Sequence, residues 1–109
     1  MPLQVSKSFL KNIVLSIWSI EEPEDFFLSQ TNLTKNCKKR LEVIKSPQKR
    51  KQFLSVRSLI KLNDVELTDL YYDEFGAPHL KTKKYISISH TNNFSAIAIS
   101  NNPVGVDIE

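Results

Sequence analysis

The sequence predicts an α+β domain with an N-terminal strand, then helices, then an antiparallel β-meander. Three observations support this fold class. An alternating apolar stretch lies near the N-terminus, a Ser-Pro pair opens a stretch with helical apolar spacing, and the C-terminal part holds short alternating segments separated by turn residues. A chain of 109 residues is long enough for one domain only.

The first predicted strand covers residues 9–20, where Ile13, Leu15 and Ile17 alternate with the residues between them. Residues 22–25 then open a short helix with one proline and three acids. Proline is tolerated at the first helical position, and acids suit the positive end of a helix. A strand followed by a helix is therefore expected at the N-terminus.

Residues 35–61 form a strongly basic stretch. They hold ten Lys or Arg residues and a single acid, Glu42, for a net charge of +9, whereas the rest of the chain has a net charge of −6. A concentrated basic segment of this kind indicates an anionic partner, which can be nucleic acid, a phosphate ligand or an acidic protein.

The second half of this stretch is predicted to be a helix that begins at Ser46 and Pro47, with serine as the cap and proline just inside. Arg50, Arg57 and Lys61 follow helical spacing and are expected to project from one stripe. Such a stripe is commonly a solvated surface. Arg57 differs because it lies close to the apolar face, and a half-buried guanidinium favours a phosphate that it can bind with two hydrogen bonds.

The C-terminal part is predicted to be strands. Residues 70–73 lead into a turn at 75–78, and strands follow at Tyr85–His90, Phe94–Ser100 and 104–109. Because the connections between these strands are so short, the strands are expected to pair as antiparallel neighbours.

Two carboxylates close the sequence. Asp107 and Glu109 are two residues apart, so on a strand they emerge side by side from one face. A divalent cation relieves their repulsion, and an incomplete set of oxygen ligands suits Mg²⁺, which retains waters and accepts substrate phosphates. Spacing alone favours the alternative, a solvent-facing acidic pair.

Ser89 and His90 end the predicted strand Tyr85–His90. A hydroxyl and an imidazole at a strand end can both hydrogen-bond a phosphate. A nucleophilic Ser–His pair is disfavoured, because adjacent residues on a strand point to opposite faces and no third group orients the imidazole. A purely structural histidine is the other alternative.

Four segments occur in one order: RSLIK at 57–61, FGAP at 75–78, ISISHT at 86–91 and VGVDIE at 104–109. Their order and spacing resemble the two-half type of 4′-phosphopantetheinyl transferase, over roughly residues 45–109. The resemblance implies that residues 1–109 are the N-terminal half of such an enzyme. It also implies that this half has a pseudo-twofold partner, the C-terminal half, which this chain lacks.

The implied activity is transfer of the 4′-phosphopantetheine group from coenzyme A to a serine of an acyl or peptidyl carrier protein. By this resemblance, Asp107 and Glu109 hold a Mg²⁺ ion that bridges the coenzyme A pyrophosphate, and Ser89 and His90 contact the phosphates. No catalytic residue beyond the metal ligands is expected in this half.

The same resemblance assigns binding residues to the nucleotide end of coenzyme A. Arg57, together with Arg50, approaches the 3′-phosphate, and the backbone near Gly76 lines the adenine. The family has a Gly-Lys-Pro turn where this chain has Gly-Ala-Pro, so one phosphate-binding lysine is absent. Three nearby lysines are candidates to replace it: Lys81, Lys83 and Lys84.

The family's second half also carries a Trp-x-x-Lys-Glu segment that this sequence does not contain. The 109-residue chain alone is therefore expected to be inactive until it meets that half, and self-association through an exposed sheet edge is a further expectation.

The single cysteine, Cys37, excludes an internal disulfide, and no signal peptide or membrane span is visible, so a cytoplasmic location is expected. The alternative function is a small basic module that binds nucleic acid or another anion without catalysis. Nucleic acid is not expected as a partner, because Tyr71, Tyr72, Phe75 and Phe94 lie outside the basic stretch and provide no stacking platform there.

Overall fold

A computed structural model describes residues 4–10, 13–91 and 93–102, with the backbone alone for residues 4–10. It contains both helices and antiparallel sheets, which confirms the α+β class. The elements in chain order are β1 (Gln4–Leu10), β2 (Ile13–Ser19), α1 (Glu24–Gln30), α2 (Lys35–Glu42), α3 (Pro47–Leu62), a 3₁₀ turn (Leu67–Asp69), β3 (Leu70–Tyr72), β4 (Pro78–Leu80), β5 (Tyr85–His90) and β6 (Phe94–Ser100). The predicted strand at 104–109 lies outside the described residues.

The main sheet has four antiparallel strands in the order β1-β2-β6-β5. Ile99 of β6 pairs with Val14 on one side and with Ile86 on the other. The hairpin β3-β4 forms a separate two-stranded sheet. The antiparallel pairing of β5 with β6 was predicted and is confirmed. The prediction that the C-terminal strands form a simple meander was wrong, because β2 pairs with the other edge of β6.

The prediction of one strand over residues 9–20 was also wrong. Two seven-residue strands occupy this region, and their register pairs Phe9 with Val14 and Leu10 with Ile13. The chain therefore reverses between Leu10 and Ile13. Neither glycine nor proline marks the reversal, which is why an almost continuous apolar pattern concealed it.

Helix α1 begins at Glu24, with Pro23 as its N-cap, so the proline lies one position before the first helical residue. Glu22 precedes the helix and turns inward, where its Oε1 accepts a hydrogen bond of 3.2 Å from Nε1 of Trp18. Phe27 is fully buried, with its ring centroid 5.3 Å from that of Trp18. These contacts fix α1 against the end of β2.

The basic stretch forms two helices, and the second begins where it was predicted. The Ser46 hydroxyl accepts from the backbone N–H of Lys49, and Pro47 is the first helical residue. The first helix, α2, has Thr34 as its cap, with its hydroxyl accepting from the N–H of Cys37. Both starts follow the ordinary capping preference for hydroxyl side chains.

Helix α3 packs against β6, and its buried residues lie between Gln52 and Ile60. Its apolar residues join those of the sheet in one core, which includes Trp18, Phe27, Leu54, Leu59, Ile60 and Ile97. Three polar contacts also tie the helix to the sheet side: Gln52 Nε2 donates to Thr91 O (2.8 Å), the Ser55 and Ser95 hydroxyls hydrogen-bond each other, and Asn63 Nδ2 donates to Ser16 Oγ (3.1 Å). Among the described helices, none is long and apolar enough to cross a bilayer.

Candidate anion-binding cleft

A cleft of about 440 Å³ opens between α3, the end of α2, the β3-β4 turn and β5. Ile44, Phe53, Val56, Pro78 and Ile88 supply most of its apolar wall. Its polar and charged wall consists of Arg40, Lys49, Gln52, Arg57, Tyr72 and His90. Gly76 completes the rim at the turn.

The charged side chains in the described lining of the cleft all have the same sign. Three of its lining residues are cations, namely Arg40, Lys49 and Arg57, and the described lining includes no carboxylate. Concave surfaces lined by charges of one sign focus the electrostatic field. The cleft is therefore suited to an anion and unsuited to a cation.

Arg57 is the most buried of these cations, with 3% of its surface exposed. Its Nη2 donates to the hydroxyl of Tyr72 at 2.8 Å, and its Cζ lies 3.7 Å from the ring centroid of Phe53. Its Nε has no hydrogen-bond partner among the described residues. A buried donor without a partner carries a desolvation cost, which this wall of the cleft bears in the absence of a ligand.

Tyr72 contacts a second guanidinium. The Cζ of Arg40 lies 4.0 Å from the Tyr72 ring centroid, over the ring face, while the phenol oxygen accepts from Arg57. A cation over an aromatic face is attracted by the negative charge of the ring face. Tyr72 thus connects Arg40 of α2 with Arg57 of α3 across the cleft.

Gly76 lies in the β3-β4 turn with φ of +84°, a conformation that residues with a side chain rarely adopt. A Cβ at this position would meet nothing within 4 Å, so the backbone conformation, and not space, requires glycine. Asp73 organises the turn: its Oδ1 accepts from the N–H groups of Phe75 (2.8 Å) and Ala77 (2.9 Å).

The second carboxylate oxygen of Asp73 accepts from the ring N–H of His79 at 2.7 Å. The hydrogen bond from His79, together with those from the Ala77 and Phe75 amides, lowers the pKa of Asp73 below its usual value. The turn that presents Gly76 is thus held by an ionised carboxylate.

Of the adjacent residues Ser89 and His90, only His90 lines the cleft, as expected for neighbours on a strand. His90 lines the cleft together with Ile88, two residues before it, whereas Ser89 is not among the lining residues. The structure therefore brings Arg57, Gly76 and His90 together and leaves Ser89 outside the cleft.

Arg50 also lies outside the cleft, at the junction of three segments. Its Nε is 2.9 Å from Oε1 of Glu24, and its Nη1 donates to the carbonyls of Leu41 (2.9 Å) and Ile44 (3.1 Å). The hydrogen bond between the two side chains lowers the pKa of Glu24 and raises that of Arg50.

The expectation that Arg50, Arg57 and Lys61 project from one stripe was wrong. Lys61 donates from Nζ to the carbonyl of Gln30 at 3.0 Å, and Arg50 contacts Glu24, so these two residues reach towards α1. Helical spacing gives the direction in which a side chain leaves the helix, but a long flexible side chain then bends towards its nearest acceptor.

Sequence reasoning missed Arg40 and Lys49 as cleft residues. Both belong to the basic stretch, where nothing local distinguishes them from the other cations. The three lysines considered as replacements do not line it, and Lys83 and Lys84 line a separate depression beside His79. The additional cations of the cleft thus come from α2 and α3.

Asp107 and Glu109, the expected metal ligands, lie outside the described residues. Within residues 13–91 and 93–102, no group of three or more His, Cys, Asp or Glu side chains is arranged to hold a metal ion.

No protein-family model matches this chain, and no curated protein matches it at a significant level.

Proposed function

We propose that this chain takes part in the Mg²⁺-dependent transfer of 4′-phosphopantetheine from coenzyme A to a serine of an acyl or peptidyl carrier protein. In this proposal, the cleft binds the 3′-phosphorylated ADP portion of coenzyme A. One observation supports it above the others: Arg57, Gly76 and His90, named from separate sequence segments, line a single cleft.

Arg57 is the main phosphate contact in the proposal. Its Nε has no partner in the described structure, and its burial removes the water that would otherwise screen its charge. Guanidinium–phosphate contacts are charge-assisted and stronger than neutral hydrogen bonds. Arg40 and Lys49 add two further positive charges to the same wall.

His90 faces the cleft from β5 and supplies an imidazole for hydrogen bonding to a phosphate oxygen. Phosphoryl transfer depends mainly on positioning and on neutralisation of developing charge, so a set of fixed cations suits this chemistry. Asp107 and Glu109 would hold the Mg²⁺ ion, which when bound supplies further neutralisation of the pyrophosphate. The geometry of these two residues lies outside the described part of the chain.

Calorimetry with coenzyme A and dephospho-coenzyme A tests the assignment of the cleft. We expect Arg57→Ala to weaken coenzyme A binding about 10- to 100-fold, the effect of one charge-assisted contact, and to weaken dephospho-coenzyme A binding less. Because Arg57 is buried, Lys49→Ala provides a second variant at an exposed position, with the same preference expected. Lys45→Ala is the matched control, since Lys45 is exposed and does not line the cleft.

Equal losses for both ligands in Arg57→Ala and Lys49→Ala would exclude the 3′-phosphate assignment. The alternative function, a basic module that binds nucleic acid, predicts a different pattern. It requires sub-micromolar binding to single-stranded nucleic acid with steep salt dependence, and no coenzyme A binding. That pattern would overturn the transferase proposal as a whole.

A further inference from the structure

Tyr72, on β3, contacts two guanidinium groups of the cleft, those of Arg40 and Arg57. We infer that Tyr72 is a positioning residue, whose hydroxyl and ring hold these two groups in place for the 3′-phosphate of coenzyme A. This inference rests on the proposed function. It names Tyr72 as a residue that sets the preference for coenzyme A over dephospho-coenzyme A.

The hydroxyl of Tyr72 fixes the part of Arg57 that a ligand can reach. The Nε of Arg57 is buried and has no hydrogen-bond partner among the described residues, so a ligand does not contact the guanidinium there. Its two Nη groups remain, and Nη2 donates to the Tyr72 hydroxyl at 2.8 Å. The ring of Phe53 lies against the same guanidinium, 3.7 Å from Cζ. These two contacts restrict the rotation of a planar group and thereby set the direction of its other N–H groups.

The ring of Tyr72 has a separate effect, on Arg40. Arg40 is an exposed residue of α2, and a long exposed side chain adopts many orientations in water. Its Cζ lies over the Tyr72 ring, 4.0 Å from the centroid, and this attraction favours the orientation in which Arg40 lines the cleft. Tyr72 therefore holds one buried and one exposed guanidinium.

Ordering these side chains in advance favours binding of the phosphate that they contact. A flexible arginine that a ligand must immobilise loses side-chain entropy, whereas an arginine that is already held loses little. Dephospho-coenzyme A lacks the 3′-phosphate and gains nothing from this ordering. A positioning role thus changes the preference between the two ligands, whereas a general loss of stability lowers both affinities alike.

Calorimetry with coenzyme A and dephospho-coenzyme A tests the inference, and circular dichroism checks that each variant is folded at the temperature used. Tyr72→Phe removes the hydroxyl and keeps the ring. We expect it to weaken coenzyme A about threefold to tenfold, the effect of ordering one more side chain on binding, and dephospho-coenzyme A less than about twofold. Tyr72→Leu also removes the ring and should weaken coenzyme A further. Tyr71→Phe is the matched control and should change neither affinity, because Tyr71 is exposed and does not line the cleft.

A double-mutant cycle shows whether Tyr72 acts through Arg57. In an Arg57→Ala background, we expect Tyr72→Phe to have almost no further effect on coenzyme A binding, because the group that the hydroxyl positions is gone. An undiminished effect in that background would overturn the positioning role and place the hydroxyl in direct contact with the ligand. Equal affinities of Tyr72→Phe and Tyr72→Leu for coenzyme A would overturn the role of the ring.

The same titrations separate failure of this inference from failure of the proposed function. The inference alone is overturned if the unmodified chain prefers coenzyme A, Arg57→Ala reduces that preference and Tyr72→Phe retains it in full. If the unmodified chain binds both ligands with equal affinity, the assignment of the cleft to the 3′-phosphate fails, and the inference fails with it.

Discussion

Tyr72 is the residue on which the two guanidinium groups of the cleft converge. Its hydroxyl accepts from Arg57 Nη2, and its ring faces Arg40. In Tyr72→Phe the ring remains, but Arg57 loses an acceptor while still 3% exposed. We expect the free energy of unfolding, measured by urea denaturation, to fall by about 1–2 kcal/mol, because a buried charged donor is left unpaired.

Tyr71→Phe is the matched control for this prediction. Tyr71 is 45% exposed and stacks on His79 with 5.3 Å between ring centroids, so the stacked ring is retained. The free energy of unfolding of Tyr71→Phe should change by no more than about 0.5 kcal/mol, as for most surface substitutions. Equal losses in the two variants would mean that the Tyr72 hydroxyl does not hold Arg57.

Asp73 makes stability depend on pH in the acid range. Its pKa is lowered in the folded state, so its contribution is present above the unfolded pKa and disappears as the pH falls through the folded pKa. In Asp73→Asn this contribution is absent at every pH. We therefore expect the melting temperature of the variant to fall less than that of the unmodified chain between about pH 5 and pH 3.

Glu74→Gln is the control, because Glu74 is the next residue in the same turn and is exposed. Its acid-induced drop in melting temperature should match that of the unmodified chain. An equally large drop in Asp73→Asn would show that the hydrogen bonds from His79, Ala77 and Phe75 do not stabilise the ionised carboxylate.

At the level of secondary-structure elements, Arg50 connects α1, α2 and α3. It reaches from α3 to Glu24 in α1 and to the carbonyls of Leu41 and Ile44, at the end of α2 and just beyond it. We expect Arg50→Ala to lower the melting temperature, and Arg50→Lys to recover little of the loss. A lysine ammonium cannot reproduce the planar fork that serves all three acceptors.

Thermal unfolding followed by circular dichroism measures this effect. Lys38→Ala, at an exposed position of α2, provides the matched removal of a charge and should leave the melting temperature nearly unchanged. Full recovery in Arg50→Lys would indicate that charge alone, and not the geometry of the fork, joins the three helices.

The whole molecule depends on a small core. Leu54 is fully buried on α3, and Leu54→Ala should lower the free energy of unfolding by about 2–5 kcal/mol, through lost burial and the cavity left behind. For a domain with a total stability of about 5–15 kcal/mol, this is a large fraction. Urea denaturation would measure the loss.

Leu28→Ala makes the same chemical change on α1 at a leucine that is 39% exposed. It should lower the free energy of unfolding by less than about 1 kcal/mol. Similar losses in the two variants would place Leu54 outside the cooperative core.

The sequence predicted those parts of the fold that depend on local signals. The start of α3 followed from Ser46 and Pro47, and the β5-β6 pairing followed from the short connection between these strands. The pairing of β2 with β6, such as Ile17 with Ala96, joins distant parts of the chain. An alternating pattern identifies a strand but does not specify its neighbour, so this pairing was not predicted.

The residues of the candidate site show the same difference between local signals, which the sequence reveals, and long-range contacts, which it does not. Arg57, Gly76 and His90 were named from their sequence segments, and all three line the cleft. Arg40 and Lys49 were missed because nothing local distinguishes them from the other cations of the basic stretch. Arg50 was assigned to a ligand because helical spacing does not reveal Glu24, its partner 26 residues away.

The three polar contacts between α3 and the sheet side have a consequence for recognition. They involve Gln52 near the start of the helix, Ser55 further along and Asn63 at its end. Sliding or rotating α3 would break all three and leave buried hydroxyls unpaired. The separation of Arg57 on α3 from His90 on β5 is therefore set before any ligand arrives. An anion that enters the cleft would meet preorganised walls, and little conformational entropy would be lost on binding.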